Sequence, residues 1–599
     1  MPVNQNRILK KWQKRLIHFR LIVFCLLAVI GIRLAYLQLA RGREYAFLAE
    51  KNRLEIESIP AARGIIYDRN GIILATNRPS FCLLLYPQKL PKNKKMLKLY
   101  ASFLSSILQK DCSEVLKLIK KELKYPLSPV YLKKGLSWKE VAIIETRSYF
   151  FPALKITVIP LRFYPNGILA SHLLGYVSLI TPKQLKTLPD AEPTDFVGQS
   201  GLEKSYEKNL AGKKGKRYLE VDALGRIIRT LKEISPEPGN NLYLTLDANL
   251  QKKAEILLKR KKGAIVALDP FTGEILISAS SPSYDPNLFV QGMDEKTWNK
   301  IKKHPGHPLE NRVTAGLYPP GSLLKIVTAI AALEEKVISP RTKIYCSGRF
   351  PLGNRVFHCW KKIGHGWMDV KRAIIQSCDV FFYQLGLWLG AERLAQYAYK
   401  CGFGKLTGIE IKEAKGLVPN PTWYWKTKKT RWPEGETLNM SIGQGAFLAT
   451  PLQLAQFFAA IANGGYIYKP KIVKKIVSVR GEIIKEIKPE IKCKLPISAK
   501  NLKIIRDAMI GVMNHPSGTG YHARSHLVTI AGKTGTAQLV SINTKNKLSI
   551  EDHAWFAGFA PAKNPKIVIV VLIEHGGKGG ITAAPLARDL IEAYLYGKN

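Results

Sequence analysis

The sequence predicts an α+β multidomain protein: a single membrane-spanning helix at the N-terminus, a middle domain over residues 40–240, and a larger C-terminal domain over 241–599 in which a sheet is flanked by helices. Three observations carry this. The chain has 599 residues, too many for one hydrophobic core. A basic cluster near its start runs into an uncharged apolar stretch. A turn-rich segment, Ser235-Pro236-Glu237-Pro238-Gly239-Asn240, separates two regions of different character.

Arg7, Lys10, Lys11, Lys14, Arg15 and Arg20 precede a charge-free run from Leu21 to Ile32. Residues 1–15 are read as a cytoplasmic tail and 16–39 as the span, long enough as a helix to cross about 30 Å of hydrocarbon. Arg20 and Arg33 lie toward its two ends, where long side chains reach the interface. The competing reading is a cleaved signal peptide; against it, no A-x-A-like site follows the run and Arg41 and Arg43 come soon after. Cys25 follows Phe24, not the small residue a lipoprotein site requires. The basic flank then stays in the cytoplasm, and everything beyond about residue 40 lies outside.

In the middle region, Gly64 to Leu74 reads as a hairpin with Asn70-Gly71 supplying the tight turn. Residues 96–123 carry helical periodicity (Leu97, Leu104, Leu108, Val115, Leu118). In the C-terminal region, 249–261 reads as an amphipathic helix, 263–268 as a buried strand, 269–273 as a turn and 274–278 as a second strand. Helical patterns follow around 321–335, 369–389 and 450–463, then a strand pair at 528–540 and 553–574, and a last helix at 584–596.

The charge is strongly positive, Lys+Arg 92 against Asp+Glu 45. Nucleic acid, an anionic membrane surface and an anionic cell-wall polymer are the partners such a charge attracts, beside the plain reading of a lysine-rich solvated surface. The basic residues are spread along the chain, and no zinc-finger, RNP or helix-turn-helix signature is present, so nucleic acid is not expected.

Three motifs carry chemistry. Ser322-Leu323-Leu324-Lys325 follows Tyr318-Pro319-Pro320-Gly321, which ends an extended run and starts a helix at about Ser322. Positions i and i+3 share a helix face, so the Ser322 hydroxyl and the Lys325 amine can meet. A serine needs a base to act as nucleophile, and a lysine serves if burial or a neighbouring cation lowers its pKa. Alone the tetrad is weak, because Ser205-Tyr206-Glu207-Lys208 has the same spacing. The second motif is Lys533-Thr534-Gly535-Thr536 on an edge strand suited to pairing with a peptide. Lys533 supplies the cation that would depress the pKa of Lys325, the hydroxyls of Thr534 and Thr536 can bind a terminal carboxylate, and Gly535 lets a substrate backbone approach. The third is Ser377-Cys378-Asp379, in an extended or turn segment where Ser377 and Asp379 face a cleft and Cys378 points away. Ser377 is placed to relay a proton to a leaving amine.

In this order and spacing, SxxK, SxD and KTG resemble the penicillin-binding proteins and serine β-lactamases. The anchor, Arg63-Gly64-Ile65-Ile66-Tyr67-Asp68-Arg69-Asn70-Gly71, Arg162-Phe163-Tyr164-Pro165 and Gly198-Gln199-Ser200-Gly201-Leu202-Glu203 are similar to the class B pedestal, and Asp379 to the elongation-type branch, penicillin-binding protein 2. The resemblance implies an elongated, dimerisation-type pedestal and a transpeptidase domain of the serine β-lactamase type, in the inner membrane. It implies a D,D-transpeptidase that joins peptidoglycan stem peptides through an acyl-enzyme on Ser322, with the amides of Ser322 and Thr536 as oxyanion hole, β-lactams as inhibitors and a SEDS-family membrane glycosyltransferase as partner. An acidic group beside Lys325 would raise its pKa unless Asp379 is itself hydrogen-bonded, which leaves the role of Asp379 open.

Cys346, Cys359, His365 and Cys378 have the spacing C-x12-C-x5-H-x12-C, a donor set suited to tetrahedral zinc. They match positions at which some members of the penicillin-binding protein 2 family hold a metal. A Cys346–Cys359 disulfide is the competing reading, and His358 a rival ligand. Among rival functions, a β-lactamase or penicillin sensor would not need the pedestal, and a D,D-carboxypeptidase would use water as acceptor. A division-type transpeptidase usually carries Asn in place of Asp379. A non-catalytic scaffold for a polymerase is opposed by the intact Ser322, Lys325 and Lys533.

Overall fold

The computed structural model describes residues 5–123, 129–188, 191–222, 227–538 and 551–597. Its contacts divide the chain into two compact units, residues 1–61 with 213–237 and residues 62–212 with 238–599.

The first unit opens with a helix from Gln5 to Ala35 that passes into a π-helical turn, Tyr36–Ala40. The stretch Arg7–Ala40 has a mean hydropathy of 2.2 at its most apolar and none of that part is buried within the protein, so its leucines, isoleucines and phenylalanines need another apolar medium. The second helix, Gly42–Arg53, leads into a three-stranded antiparallel sheet of Leu54–Ile59, Gly215–Val221 and Ile227–Ile234. Glu220, nearly buried there, accepts from Arg53 and from Arg229 at 2.7 Å.

In the second unit, the long strand Ile73–Leu85 pairs antiparallel with Leu154–Phe163 from Thr76↔Phe163 to Leu85↔Leu154. A small core (Leu83, Leu85, Tyr100, Leu104, Ile119) fills the space under helices Lys94–Leu108 and Cys112–Glu122. The helical period predicted over 96–123 is thus two helices; Gln109, in the left-handed region at φ +52°, ends the first. Strands from the 241–599 region join the same sheet: Asn241–Leu244 pairs with Ile66–Tyr67 on one side and Val473–Val477 on the other, giving seven strands in all.

Beneath it a buried ionic network ties three of the pedestal sequences together. Glu203, with no exposed surface, accepts from Arg63 Nη2 at 2.8 Å, Arg162 Nε at 2.5 Å and Tyr164 Oη at 3.1 Å. Arg63 also reaches Glu207, which accepts the Gly198 amide at 2.8 Å. Ser205 to Lys208, the decoy SxxK, contributes Glu207 to this network.

The remaining residues form a five-stranded antiparallel sheet in the order Ile275–Ser281, Gly263–Leu268, Ile567–Ile573, His553–Ala560, Ala531–Ala537. Helices Ala248–Leu257 and Gly579–Tyr596 pack on it together, and Pro451–Ala462 packs against its central strands. The predicted pair over 528–540 and 553–574 is three strands, because Pro561 to Lys566 turns the chain back; residues 539–540 lie outside the described ones. Gly263–Leu268 and Ile567–Ile573 are buried along their whole length, as sheet covered on both faces requires. Ala531–Ala537 is the sheet's edge, as its sequence suggested.

Candidate active site

Pro320 and Gly321 set up a single 3-10 turn, Gly321–Leu323, and the α-helix Lys325–Glu334 starts only after it. Ser322 therefore sits on the turn and not on the α-helix expected to begin there; residues three apart superpose in a 3-10 turn, so Ser322 and Lys325 still share one side. The fully buried Lys325 ammonium donates to Ser377 O at 2.9 Å, Ser377 Oγ at 3.1 Å and Asp379 Oδ1 at 2.7 Å. Those bonds use its three donors, and the Ser322 hydroxyl is not among its partners.

Ser377 and Asp379 face Lys325 as predicted, by a different backbone. Ser377 has φ +54°, a left-handed conformation that costs a non-glycine residue about 1–2 kcal/mol. Asp379 then opens the helix Asp379–Lys400, with Cys378 as its N-cap and turned the other way. The second oxygen of Asp379 accepts the Trp360 backbone N–H at 2.8 Å, so the carboxylate beside Lys325 is itself hydrogen-bonded.

Lys533 enters from the edge strand, fully buried, and donates to Ser377 Oγ at 2.9 Å and Thr534 O at 2.9 Å. The Ser377 hydroxyl is thus a bridge between the two lysine nitrogens. Burial, reinforced by the Lys325 charge and opposed by Asp379, pushes Lys533 well below the ordinary lysine range. Asp379 is hydrogen-bonded to Lys325, whereas among the described residues the side-chain partner of Lys533 is the Ser377 hydroxyl.

Thr534 and Thr536 share the opposite strand face, two residues apart. The Thr534 hydroxyl is hydrogen-bonded to Thr519 Oγ1 at 2.6 Å, a partner the sequence did not single out. Gly535 was read as room for a substrate backbone. A Cβ there would instead lie 3.0 Å from Trp555 Cβ and 3.2 Å from both Leu323 Cγ and Pro320 O, so the missing side chain makes room for the turn that carries Ser322. Gly321 N donates to Gly443 O at 2.9 Å, and Gln444 Nε2 to Thr536 O at 3.2 Å. The segment Ser441-Ile442-Gly443-Gln444 thereby ties the serine turn to the edge strand; its only advance signal is two glycines, Gly443 and Gly445, both with positive φ.

Behind Cys378 the predicted cluster assembles. One ligand atom from each of Cys346, Cys359, His365 and Cys378 lies within 4.8 Å of the others, with His365 Nδ1 3.6 Å from Cys346 Sγ and 3.4 Å from Cys359 Sγ. Four ligands around a zinc ion at about 2.0–2.3 Å stand about 3.5–3.8 Å apart, so the donor set fits. The three cysteines are buried with their thiols unlinked, and His358 is exposed and outside the cluster. Hydrogen bonds with Cys359 and Cys378 push the Cys346 thiol down, while those with Cys346 and Cys359 push Cys378 up.

The chain matches two families, described as Penicillin binding protein transpeptidase domain over residues 263–592 and Penicillin-binding Protein dimerisation domain over residues 58–244. It is 39% identical over 587 residues to Peptidoglycan D,D-transpeptidase MrdA of Acinetobacter baumannii, covering 96% of this chain and 86% of that protein. Its fold is similar to penicillin-binding protein PBP2 of Helicobacter pylori, solved in complex with MreC, at 32% identity and TM-score 0.78, covering 91% of this chain and 99% of that one. A structure described as structural coordination of polymerization and crosslinking by a peptidoglycan synthase complex is 32% identical with TM-score 0.70, covering 98% and 99%.

Proposed function

The chain belongs to the class B penicillin-binding proteins, of the penicillin-binding protein 2 type, and on that footing we propose that Ser322 is the nucleophile of its peptidoglycan cross-linking reaction. The protein is a serine-type D-Ala-D-Ala transpeptidase of cell-wall elongation. The observation that carries the residue assignment is the shared Ser377 hydroxyl, hydrogen-bonded by Lys325 and Lys533 at 3.1 and 2.9 Å beside the turn that bears Ser322.

Ser322 Oγ attacks the carbonyl of the penultimate D-Ala of a stem pentapeptide. The C–O ester bond forms and the C–N bond to the terminal D-Ala breaks; Lys325, acting in its free-amine form, takes the Ser322 proton, and a proton passes from it through the Ser377 hydroxyl to the leaving amine. Lys533, destabilised as a cation by burial, favours donation toward Ser377. The amides of Ser322 and Thr536 hold the oxyanion, and Thr534 and Thr536 seat the donor peptide's terminal carboxylate along the free sheet edge. An amine of a neighbouring stem then attacks the ester. Water in its place gives D,D-carboxypeptidase activity as a side reaction. Labelled penicillin acylates the protein and Ser322→Ala abolishes the label; a Ser322→Ala protein labelled like the wild type would overturn the assignment.

Cys346, Cys359, His365 and Cys378 hold one structural zinc ion in this reading. The ion supplies folding energy, not reactivity, and it fixes Cys378 and so the segment bearing Ser377 and Asp379. His365 Nδ1, turned toward Cys346 Sγ at 3.6 Å and Cys359 Sγ at 3.4 Å, supports the assignment. Elemental analysis is expected to find one zinc per chain, and denatured apoprotein all eight cysteines as free thiols; absence of zinc together with one disulfide would remove the site. The N-terminal helix anchors the chain with its basic flank inside and the catalytic domain in the periplasm. A SEDS-family glycosyltransferase is the partner, supported by the similarity to a synthase complex that couples polymerization to crosslinking.

A further inference from the structure

Trp360 is more than half exposed, yet both of its N–H groups are spent inside the active site. Its backbone N–H donates to Asp379 Oδ2 at 2.8 Å, while Oδ1 of the same carboxylate takes Lys325. Its indole Nε1–H is shared between Gln376 O at 3.0 Å and Ser377 O at 3.1 Å. Ser377 O is also the acceptor of Lys325 at 2.9 Å. Apart from the relay hydroxyl of Ser377, Lys325 has two acceptor groups, the Ser377 carbonyl and the Asp379 carboxylate, and Trp360 donates to both of them. An exposed indole gains little from burial, so its position is set by these bonds and by its edge-on contact with His365 at 5.3 Å.

We propose that Trp360 is a positioning residue for the acylation step: it fixes the Ser377 carbonyl and the Asp379 carboxylate, and through them the direction of the Lys325 amine. The need for such a clamp lies in Ser377 itself. Its left-handed backbone is strained, and such a conformation persists only where its surroundings over-determine it. The carbonyl has two lone pairs, one for Lys325 and one for the indole. Without the indole the Ser377–Cys378 peptide, which carries that carbonyl, is freer to rotate, and Lys325 loses a fixed acceptor that sets where its nitrogen lies relative to Ser322. The inference rests on the assignment of Ser322 and Lys325 above.

Trp360→Phe is the discriminating change. It keeps the aromatic ring against His365 and the backbone N–H to Asp379, and removes only the indole donor. In the full-length protein in detergent, the first-order acylation rate constant with a fluorescent penicillin is expected to fall about tenfold, the worth of one positioning hydrogen bond. The dissociation constant of the pre-covalent complex, the fraction of labelled sites at completion, and the zinc and thiol content stay those of the wild type. A wild-type rate constant overturns the proposal. So does a lower labelled fraction with a wild-type rate per active site, which marks a purely structural tryptophan. Wild-type protein that does not label, or Ser322→Ala protein that does, sinks the underlying assignment instead, so the two failures are told apart.

Discussion

Gly321→Ala probes the contact on which the site's assembly depends. Gly321 has φ +55°, and a Cβ placed on it would lie 2.6 Å from Thr536 O, a backbone atom of the edge strand. Left-handed strain alone costs about 1–2 kcal/mol. Relief of the overlap needs the serine turn and the strand to separate by something on the order of half an ångström, and misplacement by about 1 Å is worth up to about a hundredfold in rate. About a tenfold slower acylation of Ser322 is expected, read by stopped-flow with a fluorescent penicillin. Gly353→Ala is the matched control: its φ is +57°, but a Cβ there meets nothing within 4 Å. It carries the same backbone strain without the collision. Thermal unfolding should place the two variants within about 2 kcal/mol of each other, while only Gly321→Ala acylates slowly. Equal acylation rates for the two variants would refute the claim that turn and strand must touch.

The buried network of the pedestal gives a ranked stability test. In Glu203→Gln, Arg162 loses the carboxylate that receives its Nε, whereas Arg63 keeps Glu207; about 3 kcal/mol of destabilisation is expected, against about 1 for Glu207→Gln, whose side chain is partly exposed. Denaturant unfolding that ranks them the other way contradicts the network. Glu203 also has a sign in pH: burial raises its pKa, but Arg162 and Arg63 outweigh burial and lower it, so its stabilisation is present above the ordinary carboxylate pKa and is lost as pH falls through the folded value. His172 acts in a window of its own. Burial lowers it to about 4, its Nε2 donating to Pro308 O at 2.7 Å, so the unfolded chain binds the extra proton between pH 6.5 and about 4. Stability should fall by about 3 kcal/mol as pH drops through that window, and His172→Asn should flatten the slope.

The motif residues were legible because their chemistry is local: SxxK needs one turn, KTG one strand, and SxD one bend. Lys325, Ser377, Asp379 and Lys533 consequently come together as read, and so do the four proposed zinc ligands. What escaped the sequence acts through backbone atoms or through absent side chains. Trp360 reaches Asp379 with a main-chain N–H, Gln444 reaches a main-chain carbonyl, and neither leaves a pattern in residue type. Gly535 was assigned to substrate access because a glycine in a motif says only that space is needed, and not for what. The helical period read over 96–123 likewise did not mark where one helix ends and the next begins, because the break is made by the left-handed backbone of Gln109.

The seven-stranded sheet has an evolutionary and engineering consequence. Its strands come from residues 66–85, 130–163, 241–244 and 473–486, so the point in the sequence where composition changes is not a point where the fold can be cut. Asn241–Leu244 holds a strand from each side of that point. A chimera that grafts a foreign catalytic half after residue 240 would import new edges for Ile66–Tyr67 to recognise. Exchange within this architecture therefore needs matched halves, because the sheet is completed only by strands from both sides of residue 240.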